Sequence, residues 1–350
     1  MIDVALFPET TMAGPPWVCA EVRLLRPYRH PQMQRRLRCR VHHGDDCTLG
    51  PRVDAVVIQR GGPCDMRLDT LIALVETAAK RRLPIIYDLD DDLLTRHPPA
   101  RGASRFGDVG PKVRYLLRAA TVVIVSTTRL AERVAHIARR VAVWPNALDE
   151  VLVDRMSVSR QGRGRRFHWG YMGTPTHLQD LMSVVPSLGE AMARMQENPR
   201  IELVGVSDDK RMRQLWRGRA KLSVNEADGH YEGFMQRLAE RRWRVGIAPL
   251  AEVVFNACKS DIKFLDYSAA GIPGVYADTD VYRSVAENHA GVVSSPREFG
   301  NNVLALVSDQ AARERLAKSA FDYVRDQRCL AQNVSNLWSI VEECLDLANR

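Results

Sequence analysis

A lysine-rich stretch in the second half of the chain, CKSDIKFLDY, has the residue types of an anion site. Lys259 and Lys263 are four residues apart, so a helix that begins near Ser260 places both ammonium groups on one face. The unpaired N–H groups and the dipole at a helix N-terminus also attract phosphate. The stretch therefore predicts a phosphate site, next to which Asn256 stands. The alternative is a solvated helix edge on which Lys263 pairs with Asp266.

A second candidate is the stretch WGYMGTPTH, residues 169–177, where an apolar run ends in a glycine turn. Gly173 would let the backbone approach a diphosphate closely, and Thr174 and His177 would follow it. Thr176 is a plausible helix N-cap. A glycine after a strand is common in turns of this kind, and a lone histidine is more often a surface residue. The stretch is therefore a weaker prediction of a donor-binding turn.

A third candidate is the run of carboxylates Asp90, Asp91 and Asp92, which follows an apolar segment. Adjacent carboxylates repel one another, which raises the pKa of one of them and suits it to act as a base. The run could instead bind a metal, bind sugar hydroxyls or cap a helix. Its spacing also resembles a DxD metal motif, but that pattern is unspecific.

These candidates need strands and helices to position them. Short runs rich in valine and isoleucine predict buried parallel strands over 3–7, 55–59, 84–89, 121–126, 141–146, 167–173, 200–206, 243–250 and 272–278. Apolar residues at helical spacing predict helices over 67–82, 128–140, 178–195 and 260–271. The alternation is typical of doubly wound α/β domains, which bind ligands beyond the carboxyl ends of their strands.

The alternation stops once and then restarts, which indicates two Rossmann-like domains facing a cleft. The polar stretch 154–166 between them reads as a linker. We expect an N-terminal domain over 1–152 and a second domain over 153–327. A C-terminal helix is expected over 328–350, after a break near Arg328.

Composition limits the class of protein. The 350 residues are 45% hydrophobic and 26% charged, which is typical of a globular chain of two domains. No apolar run is long enough to span a membrane, and no signal peptide is expected. Seven cysteines without a CxxC pair favour reduced thiols in a cytoplasmic protein over a zinc or disulfide site.

The formal charge of +8 comes mostly from arginine clusters, among them 35–40, 160–166 and 239–244. A nucleic-acid partner is not expected, because only 7% of the residues are aromatic and no nucleic-acid motif is present. A solvated basic surface is one explanation. Attraction to an anionic substrate or to anionic lipid is slightly favoured over it, so the protein could contact the inner face of a membrane.

Over nearly its whole length the chain resembles the GT-B glycosyltransferases, in particular the bacterial family 4 (group 1) enzymes. The most specific segment is 245–283, where NACKSDIKFLDYSAAGIP is similar to the family's N-K-S-x-I-K signature. The resemblance implies a C-terminal helix that crosses back to the N-terminal domain. It also implies a UDP- or GDP-linked sugar bound by the C-terminal half, an acceptor on the N-terminal half, and transfer with retention and without a metal or cofactor.

The resemblance also assigns roles to residues. Asp266 falls on the acidic residue that contacts the donor's ribose, whereas Cys258 replaces the other carboxylate of the family's E-x7-E pair. Lys259 and Ser260, next to Cys258, look like the replacement for that carboxylate beside the sugar and phosphate of the donor.

The family's phosphate loop falls on Gly173, with Thr174 in place of the usual arginine and His177 near the lysine. Its His-Asp pair falls on Asp90 and Asp91. These departures leave a nucleotide-sugar donor as the expectation.

The leading hypothesis is therefore sugar transfer to a glycan, a lipid-linked glycan or a secondary metabolite. Lys259 and Lys263 would stabilise the leaving diphosphate, whose own oxygen can deprotonate the acceptor, and Asp90 or Asp91 would orient the acceptor hydroxyl. One alternative is a sugar-nucleotide epimerase of the same architecture. Another is an inert homologue that acts as a partner subunit or a lectin-like binder.

Overall fold

The computed structural model consists of two compact units, each with its own sheet. The first unit comprises Met1–Asp149, Cys258–Ser260 and Leu330–Arg350, and the second comprises Glu150–Ala257 and Asp261–Cys329. The structure describes residues 1–10, 14–43, 48–63, 66–95, 109–159, 167–174, 177–206, 210–226 and 230–348. The predicted N-cap Thr176 and the arginine cluster 160–166 lie outside the described residues. Within the described ranges, no helix is long and apolar enough to cross a membrane.

The first unit contains a six-stranded parallel sheet. Its strands are β1 (Ile2–Phe7), β2 (Leu37–Val41), β3 (Ala55–Gln59), β4 (Ile85–Leu89), β5 (Val122–Val125) and β6 (Val141–Val143). They are arranged in the order β2-β1-β3-β4-β5-β6, and every neighbouring pair is parallel. β3, β4 and β5 are buried along their whole length, which explains their continuous apolar sequences.

Helices cover both faces of this sheet. The side chains of its strands alternate between two separate hydrophobic clusters, in which they pack against these helices. A short π-helical turn, Glu21–Leu25, lies between the first two helices. The helices are α1 (Val18–Ala20), α2 (Arg26–Arg29), α3 (Pro31–Gln34), α4 (Leu68–Lys80), α5 (Val109–Ala119) and α6 (Thr128–Val134).

The first unit also receives the predicted C-terminal helix, here numbered α17 (Leu330–Ala348). Its buried residues recur at helical spacing and join one of the two sheet-face clusters: Leu330, Val334, Leu337, Val341 and Cys344. Trp144 donates its indole Nε1–H to the Asn333 carbonyl oxygen at 3.1 Å, which fixes the start of the helix on the unit. The return of this helix to the N-terminal sheet is confirmed.

The second unit has its own six-stranded parallel sheet. The strands are β7 (Phe167–Met172), β8 (Arg200–Val204), β9 (Lys221–Asn225), β10 (Trp243–Ala248), β11 (Gly274–Ala277) and β12 (Val292–Ser294). Their order is β12-β11-β10-β7-β8-β9, again with parallel neighbours. Gly170 in β7 is required there, since a Cβ atom would lie 2.0 Å from the buried ring of Trp243.

The helices of the second unit are α7 (Glu150–Ser159), α8 (Leu178–Met182), α9 (Val185–Ala193), α10 (Lys210–Trp216), α11 (Tyr231–Glu240), α12 (Val254–Ala257), α13 (Ile262–Ala269), α14 (Arg283–Glu287), α15 (Phe299–Ser308) and α16 (Gln310–Gln327). A 3-10 turn, Asp280–Tyr282, precedes α14. The α/β fold class predicted from the sequence is confirmed in both units.

Three local predictions need correction. The proposed linker is helical over its first part, because α7 extends to Ser159. The helix predicted over 178–195 is two helices, since Pro186 in the first turn of α9 lacks the N–H that a continuous helix requires. The helix predicted from Ser260 begins at Ile262, after Asp261, whose carboxylate binds Arg328 at 2.7 and 3.0 Å. Lys259 therefore lies outside this helix.

Candidate functional site

A buried carboxylate, Asp180, organises the carboxyl end of the second sheet. Its Oδ1 accepts hydrogen bonds from the Asn256 side-chain amide at 2.5 Å and from the Ala251 backbone N–H at 3.0 Å. Its Oδ2 lies 2.7 Å from Nδ1 of His177. The contacts join the segment after β10 to the turn after β7. Two predicted site residues, Asn256 and His177, are thus brought together by an acid that the sequence did not single out.

Asp180 is charged in spite of its burial. Burial raises its pKa, but the hydrogen bonds from His177 and Ala251, together with the positive charges of His177 and Lys263, hold the pKa below the ordinary value. A fixed carboxylate next to Nδ1 orients the imidazole ring of His177. The orientation of His177 therefore depends on the Asp180 carboxylate as well as on the turn that carries the histidine.

The turn after β7 is tight at Gly173. Its N–H donates to the Val204 carbonyl oxygen at 3.0 Å, and a Cβ atom would lie 3.1 Å from the Tyr171 hydroxyl. Thr174 is exposed, and its carbonyl oxygen accepts a hydrogen bond from the His177 N–H at 3.0 Å. The geometry leaves a side chain little room at Gly173, and the approach of a diphosphate to this turn stays a prediction.

Lys263, in the first turn of α13, is 8% exposed. Its ammonium nitrogen lies 5.5 Å from the centroid of the Tyr171 ring, within the range of a cation–π contact. Its positive charge helps to hold the pKa of the Asp180 carboxyl below the ordinary value, and it partly opposes the rise that burial causes in the pKa of Asp266. Lys263 is thus a buried cation at the carboxyl end of the sheet, and the alternative of a solvated edge is wrong for this lysine.

Asp266, one turn further along α13, is 4% exposed and accepts a hydrogen bond of 2.7 Å from the Tyr231 hydroxyl. Burial raises its pKa to about 7, although the Tyr231 hydrogen bond and the Lys263 charge act in the opposite direction. Its predicted contact with ribose stays a prediction. What the structure adds is that this carboxyl titrates near neutral pH.

A second cluster lies at the carboxyl end of the first sheet, where one arginine binds three carboxylates. Arg60 follows β3; its Nε and Nη2 donate to the two oxygens of Asp90 at 2.5 and 2.9 Å. Nη2 also donates to Asp91 at 3.0 Å, and Nη1 donates to Glu9 at 3.0 Å. The predicted pair Asp90 and Asp91 is therefore an ion-paired group, to which Arg60 and Glu9 belong.

Asp92 has a different role from its two neighbours. Its side chain is fully buried, accepts from the Leu94 N–H at 3.1 Å and from the Thr95 hydroxyl, and pairs with Arg133 at 3.1 Å. Asp92 therefore caps a turn over residues 93–95, and these contacts are not the helix cap considered for this run. Asp90 and Asp91 are the two that remain for binding.

Lys259 and Ser260 belong to the first unit. The ammonium of Lys259 lies 3.5 Å from Asp91 Oδ1, and the Ser260 hydroxyl oxygen accepts a hydrogen bond of 2.8 Å from the Asn146 amide. Cys258 beside them is buried in the sheet core, and burial raises the pKa of its thiol to about 11. The thiol is therefore neutral and does not do the work of a carboxylate.

Glu9, Arg60 and Asp180 were not predicted as site residues from the sequence. Glu9 and Arg60 follow the carboxyl ends of β1 and β3, so the rule that located Asp90 could have located them too. Asp180 gave no such signal, because it lies inside a predicted amphipathic helix. Across the described ranges, no group of three or more histidine, cysteine, aspartate or glutamate side chains is placed to hold a metal ion.

The chain has a GT-B fold, the architecture of a large class of glycosyltransferases. Its features are two parallel six-stranded sheets with helices and a C-terminal helix that returns to the first sheet. No protein-family model matches the chain, and no curated protein matches its sequence.

Solved structures match it over almost its full length. Anabaena HepE in complex with UDP-glucose has a TM-score of 0.64 at 13% identity, covering 98% of this chain and 100% of that one. Sucrose-phosphate synthase from Thermosynechococcus elongatus has a TM-score of 0.59 at 14% identity, covering 98% and 99%. A glycosyltransferase from Rickettsia africae ESF-5 has a TM-score of 0.61 at 9% identity, covering 98% of each chain.

Proposed function

We propose that this protein is a glycosyltransferase that moves a sugar from a nucleoside-diphosphate sugar to an acceptor hydroxyl. The observation that carries the proposal is the buried cation Lys263, at the same sheet end as the Gly173 turn and the His177–Asp180 pair. The GT-B fold supports the same function, since HepE is a structural neighbour in complex with UDP-glucose.

The donor site is proposed to lie in the second unit. Negative charge grows on the diphosphate as the sugar leaves, so a preformed cation lowers the barrier more than it strengthens ground-state binding. Lys263 supplies that cation, the backbone at Gly173 and Thr174 approaches the phosphates, and His177 adds a ring held by Asp180. Asn256 holds Asp180 in place, and Asp266 is proposed to bind the ribose.

The acceptor is proposed to bind the first unit through Asp90 and Asp91. These carboxylates accept hydrogen bonds from a hydroxyl and orient it, while an oxygen of the departing phosphate takes its proton. That chemistry retains the anomeric configuration and uses neither a metal nor a cofactor. Lys259, which contacts Asp91, is proposed as a further cation for the reaction, with Ser260 next to it.

The finer parts of the proposal rest on the resemblance to family 4 enzymes and on charge. The acceptor is proposed to be a glycan, a lipid-linked glycan or a secondary metabolite. Exposed arginines in the first unit, among them Arg35, Arg36, Arg38 and Arg40, support contact with an anionic membrane surface. The cysteines without a CxxC pair favour a cytoplasmic enzyme.

Calorimetry with UDP and GDP in the presence of EDTA tests the donor site first. We expect one of them to bind, and a strict requirement for magnesium or manganese would contradict the proposal. Incubation of UDP-glucose or GDP-mannose with a panel of neutral 4-nitrophenyl glycosides then tests transfer. A glycosylated product supports the proposal, an isomerised free sugar nucleotide points to the epimerase, and the absence of both binding and product points to an inert homologue.

A further inference from the structure

The arrangement around Arg60 does more than neutralise charge. All three nitrogens of its guanidinium donate to carboxylates: two to Asp90, one of them also to Asp91, and the third to Glu9. Without a cation among them, three neighbouring carboxylates repel one another. Because arginine does not deprotonate in proteins, Arg60 places a permanent positive charge among the three carboxylates.

The backbone of Arg60 is held in an unusual conformation. Its φ is +49°, in the left-handed region that residues other than glycine rarely adopt. Its N–H donates to the Asp88 carbonyl oxygen at 2.9 Å, so the residue is tied to the neighbouring strand end as well. Residues kept in such conformations cluster at functional sites, where the surrounding contacts compensate the strain.

Exposure of the three carboxylates is graded. The side chain of Glu9 is 8% exposed, that of Asp90 is 12% exposed and that of Asp91 is 23% exposed. Asp91 is therefore the carboxylate that a ligand reaches first, with Arg60 and Asp90 behind it. A carboxylate oxygen accepts more than one hydrogen bond, so a hydroxyl can bind Asp91 while Arg60 still holds it.

We propose that Arg60 is a positioning residue for the acceptor, which holds Asp91 beside Asp90 so that their oxygens receive hydroxyls of a neutral sugar. The inference rests on the proposed glycosyl transfer. Charge sets the acceptor class: three carboxyl groups pair with two cationic side chains, Arg60 and Lys259, so acidic side chains outnumber basic ones among these five. A phosphate or carboxylate on the acceptor would be repelled here, whereas uncharged hydroxyls are bound.

The test compares Arg60→Lys with Arg81→Lys. Lysine keeps the charge at residue 60 but loses the planar fork that binds three carboxylates. Arg81 is a matched control in the same unit, since its fork binds the backbone carbonyl oxygens of Leu49, Gly50, Pro51 and Val53 and no carboxylate of the cluster. The probes are UDP, for the donor site, and the neutral 4-nitrophenyl glycoside that the parent protein glycosylates fastest.

Arg60→Lys should raise the acceptor KM about tenfold or more and leave the UDP dissociation constant within about twofold, whereas Arg81→Lys should change neither. A double-mutant cycle with Asp91→Asn should be strongly non-additive, because both changes remove the same placement of one carboxylate. If Arg60→Lys does not fold, Asp91→Asn alone must show the rise in acceptor KM. An unchanged acceptor KM in an active variant overturns the inference alone, whereas a parent that binds no nucleotide and transfers no sugar overturns the proposed function as well.

Discussion

The imidazole of His177 and the carboxylate of Asp180 are joined by a hydrogen bond of 2.7 Å between Nδ1 and Oδ2. The same carboxylate binds the Ala251 N–H and the Asn256 side chain, so one acid ties together two loops at the carboxyl end of the second sheet. The position of the histidine therefore depends on a group that is itself almost fully buried.

Removing this acid should be costly for the fold. Asp180→Ala removes the acceptor of the Ala251 N–H and one of the two acceptors of the Asn256 amide, whose other bond goes to the Ala251 carbonyl oxygen. Each buried unsatisfied group costs about 1–3 kcal/mol. The control Asp154→Ala removes a half-exposed carboxylate that pairs with Arg325, which should change stability by about 0.5 kcal/mol or less. Urea unfolding measures both. Equal midpoints for the two variants would show that Asp180 does not support the loops.

Lys263 should matter for turnover and for stability together. Lys263→Met keeps most of the side-chain length and removes the ammonium. The rate of transfer should fall about tenfold or more, since a charge-assisted bond to phosphate is worth about 1.5–3 kcal/mol. The ammonium also supplies positive charge near the buried Asp180 carboxylate, so the variant should melt below the parent, unlike a surface variant.

The control for Lys263 is Lys318→Ala, which changes an exposed lysine paired with Asp322 on α16. Its rate with the same donor should match that of the parent. Rates are compared well below both melting temperatures, so that loss of folded protein does not mimic loss of chemistry. A Lys263→Met enzyme as fast as the parent would move the phosphate site elsewhere.

Asp266 predicts a pH dependence of stability. Burial raises its pKa to about 7, whereas the unfolded value is about 3.9. Between these values the folded chain holds a proton that the unfolded chain releases, so the stability from this group is full below about pH 4 and is lost as pH rises towards 7. Asp266→Asn is neutral throughout and should remove that loss.

Urea unfolding of the parent and of Asp266→Asn at pH 5 and pH 8 checks this prediction. Other groups titrate alike in both proteins, so the difference between the two pH dependences belongs to residue 266. The parent should lose more stability than the variant on going to pH 8, with each pKa unit worth about 1.4 kcal/mol. Parallel pH profiles would contradict a raised pKa.

Lys259→Ala distinguishes two possible roles of Lys259, support of the leaving phosphate and support of the acceptor carboxylates. The ammonium of this lysine lies 3.5 Å from Asp91 Oδ1. If it supports the leaving phosphate, kcat should fall roughly tenfold with little change in acceptor KM, because the interaction strengthens only as charge develops. Steady-state kinetics with both substrates varied give the two constants. A higher acceptor KM at an unchanged kcat would assign Lys259 to the acceptor carboxylates instead.

The central strands were predictable from the sequence, and three strands were not. β3, β4 and β5 are buried on both faces and read as unbroken apolar runs. β2, β9 and β12 lie at sheet edges, where each strand has a neighbouring strand on one side only. Their sequences, LRCRV, KLSVN and VVS, lack a long unbroken apolar run. The sequence of β2 lies within an arginine cluster, 35–40, which hides its strand character.

The site was predictable only where its residues are local in sequence. Asp90 and Asp91 follow a strand and could be found from that position alone. Their partner Arg60 lies 30 residues away from Asp90, and only the pairing of β3 with β4 brings the two together. The same holds for Asp180 and Asn256, which are 76 residues apart. Hydrogen-bond partners of this kind depend on topology, which residue spacing does not encode.

The position of α17 in the first unit has a consequence for synthesis on the ribosome. Leu330, Val334 and Leu337 fill the core over a sheet whose strands end at Val143, so that core lacks its cover until residues far downstream have been translated. The second unit draws all its residues from Glu150–Ala257 and Asp261–Cys329 and is complete by then. The first unit therefore cannot complete this core before almost the whole chain has been made, and until then its sheet lacks part of the apolar cover on one face.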